Sequence, residues 1–259
     1  MKKKCFICNE EVSKNNSFSF KCLNCNFYFS NLKPSFGQDV RGIEAIRRKN
    51  FRKLIKIITD LKHNPQILEI GSGDGFFIEE CINFNVSITG SEASIDAVII
   101  LKKKFNKKFH LLNLSLPESI KKKTKERFDF VIFNDVFEHL ENLDDVISDV
   151  KNILKKDGVV IINLPSSNGV IFKISEFLMK LGFNKFYNRL WQKNMSSPHL
   201  SYFNEKNLKQ LFSKHNMEKV ISGFLDSLSF NNYERFKNLY RNSIIAIFFT
   251  IICFIFSII

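Results

Sequence analysis

The sequence predicts an α/β protein built on a doubly wound, mostly parallel sheet, with a small cysteine knuckle ahead of it and an apolar helix behind it. Three observations carry this reading. Between residues 66 and 223 short apolar runs alternate with stretches of helical period, the pattern of a parallel sheet covered by helices on both faces. The stretch ILEIGSGDGFF, residues 67–77, sets three glycines two apart directly after an apolar run, so a ligand can lie against bare backbone where a strand ends. Four of the 6 cysteines fall in two CxxC pairs near the start of the chain.

Those four are Cys5, Cys8, Cys22 and Cys25. Two CxxC turns joined by a short loop present four thiolates to one tetrahedral ion, and in a reducing compartment zinc is the expected occupant. Residues 1–31 therefore read as a zinc knuckle. A segment of that size builds no core of its own, and structural zinc supplies about 10–16 kcal/mol in small finger peptides. Four protein ligands close the coordination sphere, which makes the metal structural rather than catalytic. Cys81, on an apolar helical face, reads as core.

Residues 32–63 follow as linker and amphipathic helix. LKPSFG, residues 32–37, interrupts any period with Pro and Gly. Beyond it Ile43, Ile46, Phe51, Leu54, Ile55 and Ile58 recur at helical spacing, with Arg47, Arg48, Arg52, Lys53 and Lys56 on the solvated face. The main domain, residues 64–225, has strands expected at 66–70, 86–90, 109–114, 128–134 and 158–164 and helices around 76–83, 94–105 and 144–154. A further helix carries Leu208, Leu211 and Phe212 behind Asn204 as its cap. A sixth strand is expected near Val220.

In such a sheet ligands bind at the carboxyl ends of the strands, where the glycine loop lies. A dinucleotide fingerprint spaces its glycines GxGxxG to seat a pyrophosphate at the helix N-terminus. Here Phe76 stands at the third position, and Glu69 just before the turn repels phosphate but attracts a cation. S-adenosylmethionine carries two cationic centres, an ammonium and a sulfonium. Glu92, about twenty residues beyond the loop, is placed to receive both hydroxyls of a ribose.

LEIGSGDG, GSEAS, FDFVIFNDVFEHL and LKKDGVVIINLP together resemble the motifs of the class I S-adenosylmethionine-dependent methyltransferases, whose fold is Rossmann-like. The resemblance runs from about residue 66 to 223. The cysteine pairs and SPHLSYFNEKNLKQLF are similar to a subgroup that joins a zinc knuckle to this domain. The resemblance implies that Glu69 orients the methionine end of the cofactor, that the loop Gly71, Ser72, Gly73 and Gly75 passes beneath it, and that Glu92 holds the ribose. It places Asn113 near the adenine, where relatives often carry aspartate, and Asn134 and Asp135 beside the methyl group.

Methyl transfer is an in-line displacement at a carbon already activated by the sulfonium, so the protein aligns the acceptor and, for a hydroxyl, removes its proton. His139, one turn after Asp135, and His199 in SPHLSYF are the candidate bases. Asp135, Glu138 and His139 together resemble the Glu, Glu, His set of the ubiquinone O-methyltransferases, an alternative divalent site. Residues 169–202, long for a simple connection, read as a cover over the acceptor, with Tyr187 and Trp191 as apolar lining or as core.

The formal net charge of +13 suits a polyanion, but the excess is mostly lysine in a chain also rich in Phe, Ile and Asn, a bias that needs no such partner. The basic start runs into polar residues rather than an apolar signal region, so the body is expected in the cytoplasm. In residues 226–259 a basic stretch precedes SIIAIFFTIICFIFSII, residues 243–259, uncharged and about 25 Å long as a helix: a candidate membrane anchor, or else a very apolar core element or the last strand of the sheet. The function implied is methylation, at oxygen, of a small-molecule, glycan, quinone or lipid-linked acceptor near a membrane. An RNA methyltransferase gripping nucleic acid with the knuckle and basic helix is the alternative.

Overall fold

The computed structural model describes residues 4–35, 44–105, 109–114 and 120–226. The cysteine turns lie on an antiparallel meander of three short strands, β1 (Val12–Lys14), β2 (Ser19–Cys22) and β3 (Tyr28–Ser30). A helix follows, α1 (Glu44–Leu61), burying Phe51, Leu54, Ile55 and Ile58 at i, i+3, i+4 and i+7. The main sheet then alternates with helices: β4 (Ile67–Ile70), α2 (Phe76–Asn83), β5 (Ile88–Glu92), α3 (Ile95–Phe105), β6 (His110–Asn113), β7 (Phe128–Asn134), α4 (Leu143–Ile153) and β8 (Leu154–Asn163). Its order is β6-β5-β4-β7-β8 and every pairing is parallel. This is the doubly wound α/β sheet that the alternation predicts.

Side-chain alternation explains how one strand serves two cores. On β7, Phe130 and Ile132 join the cluster under α1, α2 and α3, while Val131 and Phe133 join the cluster under α4. Phe128 breaks the alternation and sits with the odd residues, because the register against β8 shifts between Phe128 and Phe130, and a bulge turns the preceding side chain to the other face. Each fully buried Phe or Ile contributes about 1.5–3 kcal/mol. Cys81 is fully buried in the first of these clusters, and burial pushes its thiol well up, consistent with a core residue.

The second strand runs Ile88–Glu92, two residues later than its apolar pattern suggests. Val86 is used instead to close α2, its N–H donating to the Cys81 carbonyl, so Glu92 ends the strand itself. The basic face of α1 is largely occupied by carboxylates rather than by solvent alone. Arg48 and Arg52 both bond the buried Glu80 of α2, Arg48 also meets Glu79 and Glu44, and Lys53 meets Asp226. Arg48 further stacks 4.7 Å above the Phe76 ring.

Beyond β8 come α5 (Val170–Lys180), α6 (Asn184–Leu190), β9 (Ser201–Tyr202) and α7 (Glu205–Ser213). Asn204 caps α7 in a reciprocal capping box with Asn207, as its position suggests. The strand β9 pairs with β3, making a second sheet of order β1-β2-β3-β9. Tyr187 and Trp191 are fully buried against Phe18 of the knuckle and Phe172 of α5; of their two readings, the structure supports core. The sixth strand expected near Val220 is absent from the described residues: Val220 and Ile221 are about 70% exposed in irregular chain. Residues 243–259 lie outside the described residues, and among those described no helix is long and apolar enough to cross a membrane.

Candidate active site

Three strand ends meet at the carboxyl edge. Glu69, on β4, is buried to 2% exposure. Its Oε1 accepts a hydrogen bond of 3.0 Å from the Asn134 amide at the end of β7, and its Oε2 has no well-formed hydrogen bond among the described residues. Burial, only partly offset by Asn134 and by the neighbouring Ser72 hydroxyl, raises its pKa to about 7. That hydroxyl is itself buried, with no partner in full hydrogen-bond geometry. A buried carboxylate oxygen left without a well-formed bond at a strand end suits a ligand that brings donors.

The loop between them has the shape for such a ligand. Gly71 has φ +72°, and a Cβ there would stand 2.7 Å from Val136 Cγ2. Gly75 has φ +75°, with Leu101 and Phe105 of α3 at 2.6 Å. Both positions need glycine for backbone and for space. Gly73 differs: a Cβ there meets nothing within 4 Å, so this part of the loop faces open space.

Glu92 staples that loop. Its Oε2 accepts from the Gly73 N–H at 2.9 Å, and its Oε1 from the Ala93 N–H at 2.8 Å. The Ser94 N–H also reaches Oε1, at 3.3 Å. A carboxylate has about four acceptor sites, so about one, on Oε2, remains for a ribose hydroxyl. Asn113, at the end of β6, donates its amide to the carbonyls of Glu92 and Ala93, which makes it a brace for the β5 end. The buried Glu69 carboxylate, the open face at Gly73 and the spare capacity of Glu92 fit S-adenosylmethionine, with its ammonium at Glu69 and its ribose at Glu92.

Past Asn134 the chain turns sharply. Asp135 takes φ +54°, and its carboxylate pairs with Arg47 of α1 at 3.0 Å. That partner was not legible in the sequence, where Arg47 is one of five cations on a helix face. The set Asp135, Glu138 and His139 is accordingly not what converges. Glu138 and His139 gather instead with His199, their donor atoms all within 4.8 Å of one another, while the Asp135 carboxylate is paired with Arg47. Glu138 is buried with neither carboxylate oxygen bonded, and burial beside Asp135 holds its pKa well above the usual range.

The two histidines stand edge to face, centroids 4.6 Å apart. His139 Nδ1 lies 2.9 Å from the Pro198 carbonyl. A carbonyl only accepts, so that nitrogen carries the hydrogen and Nε2 keeps the lone pair. His199 Nε2 faces the Gln192 amide at 2.9 Å, and its buried Nδ1 has no partner. Burial lowers both pKa values, that of His199 strongly. Both rings are therefore neutral near pH 7.

The four knuckle cysteines converge as their spacing predicts. Cys5 and Cys25 sulfurs are 3.7 Å apart, those of Cys8 and Cys22 3.4 Å, and no disulfide links them. A tetrahedral ion with Zn–S bonds of about 2.3 Å has S···S edges of about 3.8 Å. The Ile7 N–H also points at Cys5 Sγ. The residues fit zinc.

Comparison with known proteins agrees with this architecture. A family model described as "Methyltransferase domain" matches residues 43–221. The chain is 29% identical over 121 residues to the ubiquinone biosynthesis O-methyltransferase of Pelagibacter ubique (strain HTCC1062), covering 44% of this chain and 49% of that protein. It is 25% identical over 135 residues to the malonyl-[acyl-carrier protein] O-methyltransferase of Halalkalibacterium halodurans, covering 46% and 48%. It thus spans about half the length of these curated relatives. Among solved structures, a putative O-methyltransferase from Nostoc punctiforme PCC 73102 shares the fold with a TM-score of 0.54 at 13% identity, covering 72% of this chain and 55% of that one. With the matched model spanning most of the chain and the sheet order, glycine loop and strand-end acids in place, the chain belongs to the methyltransferase domain family, in the class I, S-adenosylmethionine-dependent group.

Proposed function

We propose that this protein methylates an oxygen of a small-molecule acceptor with S-adenosylmethionine, and that zinc fills its cysteine knuckle. The observation that carries the reading is the juxtaposition at one sheet edge of the buried Glu69 and Ser72 oxygens with the neutral His139. Relatives named as O-methyltransferases support oxygen as the acceptor atom. S-adenosylmethionine, when bound, supplies an electrophilic methyl carbon. Glu69 holds the ammonium, Glu92 the ribose, and Asn134 fixes the Glu69 carboxylate. His139 Nε2 accepts the acceptor's hydroxyl proton as its oxygen becomes nucleophilic. Arg47 pairs with Asp135 at the edge of the site.

Glu92→Ala is expected to weaken S-adenosylmethionine binding by about 10–100-fold, because it removes charged hydrogen bonds of about 1.5–3 kcal/mol along with the Gly73 staple. Isothermal calorimetry of the zinc-loaded chain reads this directly. Unchanged affinity, or no binding by the unaltered protein, overturns the cofactor assignment.

The cytoplasmic face of a membrane is the proposed location, resting on the uncharged run of residues 243–259, where each Ile or Phe favours insertion. Fractionation of chains with and without that run tests it: a full-length chain that stays in the soluble fraction without detergent excludes the anchor.

A further inference from the structure

We propose that the zinc-loaded knuckle positions the acceptor half of the site, holding His199 and Glu138 in place, while the S-adenosylmethionine half stands without it. The inference rests on the methyltransferase reading of the site and on zinc at the four cysteines. It follows from where the knuckle is attached. β3 pairs with β9 through Tyr28 with Tyr202 and Phe29 with Ser201. The Ser30 hydroxyl donates to the His199 carbonyl at 2.8 Å, and the Ser30 N–H to the Leu200 carbonyl at 2.9 Å. The Leu200 N–H in turn donates to the Glu138 carbonyl at 2.8 Å. One strand of the knuckle is thus hydrogen-bonded to the two successive carbonyls of His199 and Leu200, and through Leu200 to Glu138.

The metal turn itself is attached a second way. The carbonyl of Cys25 accepts from the Asn204 and Asn207 amides at 3.1 and 3.3 Å, the two residues that cap α7. Phe27 meets Phe203 at 5.1 Å, and Phe203 meets Phe137, beside Glu138, at 5.6 Å. β9 has only two residues, too few to persist without a partner strand. A meander of three- and four-residue strands is equally unable to persist without its ion.

The other half of the site is held mainly by its own neighbours, although Leu68 and Ile70 of β4 and Phe133 beside Asn134 share one core cluster with the knuckle cysteines and Phe27. Glu69 is bonded by Asn134, and Glu92 by Gly73 and Ala93. The core cluster beneath α1, α2 and α3 contains no knuckle residue. Loss of the ion should therefore loosen residues 199–203 and leave the β4 and β5 ends intact.

The test compares zinc-loaded full-length protein with Cys22→Ser/Cys25→Ser, whose metal content is measured by elemental analysis. Amide exchange at residues 200–203 is expected to rise at least about tenfold in the variant, exchange at residues 67–92 to stay unchanged, and S-adenosylmethionine affinity to stay within about twofold, since exchange reports local opening. A milder variant guards against wholesale unfolding. Ser30→Ala, with zinc retained, is expected to lower kcat about 3–10-fold with KM for S-adenosylmethionine unchanged, and Ser30→Thr to restore it, because one hydroxyl bond is at stake. Unchanged exchange at residues 200–203 in metal-free protein, or cofactor affinity lost in step with the metal, overturns the proposal. If zinc-loaded wild-type protein binds no S-adenosylmethionine while the exchange contrast persists, the methyltransferase reading fails and the mechanical coupling stands.

Discussion

Glu69→Gln is expected to weaken S-adenosylmethionine binding about 10–100-fold near pH 7.5 and to abolish the loss of affinity that the unaltered protein shows as pH falls below about 7. The magnitude is that of a buried charge-assisted hydrogen bond, about 1.5–3 kcal/mol. The pH dependence follows from burial, which raises the Glu69 pKa to about 7. An ammonium ligand prefers the ionised carboxylate, so binding must expel a proton below that pKa, and affinity falls by up to about tenfold per pH unit there. The ligand's own α-amino group, with an ordinary pKa of about 7.7–8.0, sets the upper limit, since it loses its charge above that range.

The same shift makes an opposite prediction for the protein without ligand. Below an ordinary pKa of 4.5 the Glu69 carboxyl is neutral in both folded and unfolded chains and costs nothing. As pH rises from there to about 7 the unfolded chain ionises while the folded one resists, so stability falls through that window and stays lowered above it. Glu69→Gln should therefore melt higher than wild type at pH 8 while binding worse. Calorimetric titration across the range, with thermal melts of both proteins, measures the two effects together. A wild-type pH slope retained in the variant would assign the proton to another group.

The contrast between what the sequence showed and what it concealed has a physical basis. FDFVIFN and the glycine loop were legible because periodicity and backbone freedom are local properties, encoded within a few residues of each other. The convergence of four cysteines was legible because metal geometry restricts ligand spacing. Pairing across the fold was not. Arg47 and Asp135 are 88 residues apart, and nothing in a cation on a helix face announces its carboxylate. The two residues of β9 carry no period at all, so the sheet they share with the knuckle had no local signal. The aromatic residues of α6 and the turn after it failed differently: Tyr187 and Trp191 suit an acceptor pocket and a core equally by composition, and only the position of Phe18 and Tyr28 against them decides for the core.

His139→Ala is expected to lower kcat about 10²–10⁴-fold, the range of a lost general base, while leaving S-adenosylmethionine affinity within about twofold. The geometry chooses His139 over His199. The Pro198 carbonyl and Ser197 hydroxyl lie 2.9 and 3.1 Å from His139 Nδ1, which fixes the hydrogen there and leaves Nε2 as a free lone pair. His199 Nε2 instead meets the Gln192 amide at 2.9 Å and stands 3.9 Å from Glu138 Oε1, and its Nδ1 is buried. His199 is thereby held within the protein and poorly placed to take a substrate proton. Burial lowers the His139 pKa, so the ring is already neutral near pH 7, and the acid limb of the kcat profile should fall below the ordinary histidine value of about 6.5. His199→Gln, which keeps a donor of similar reach, should cost less than about tenfold. Single-turnover rates separate the two variants from any effect on product release. A larger loss from His199→Gln than from His139→Ala would exchange the roles of the two rings.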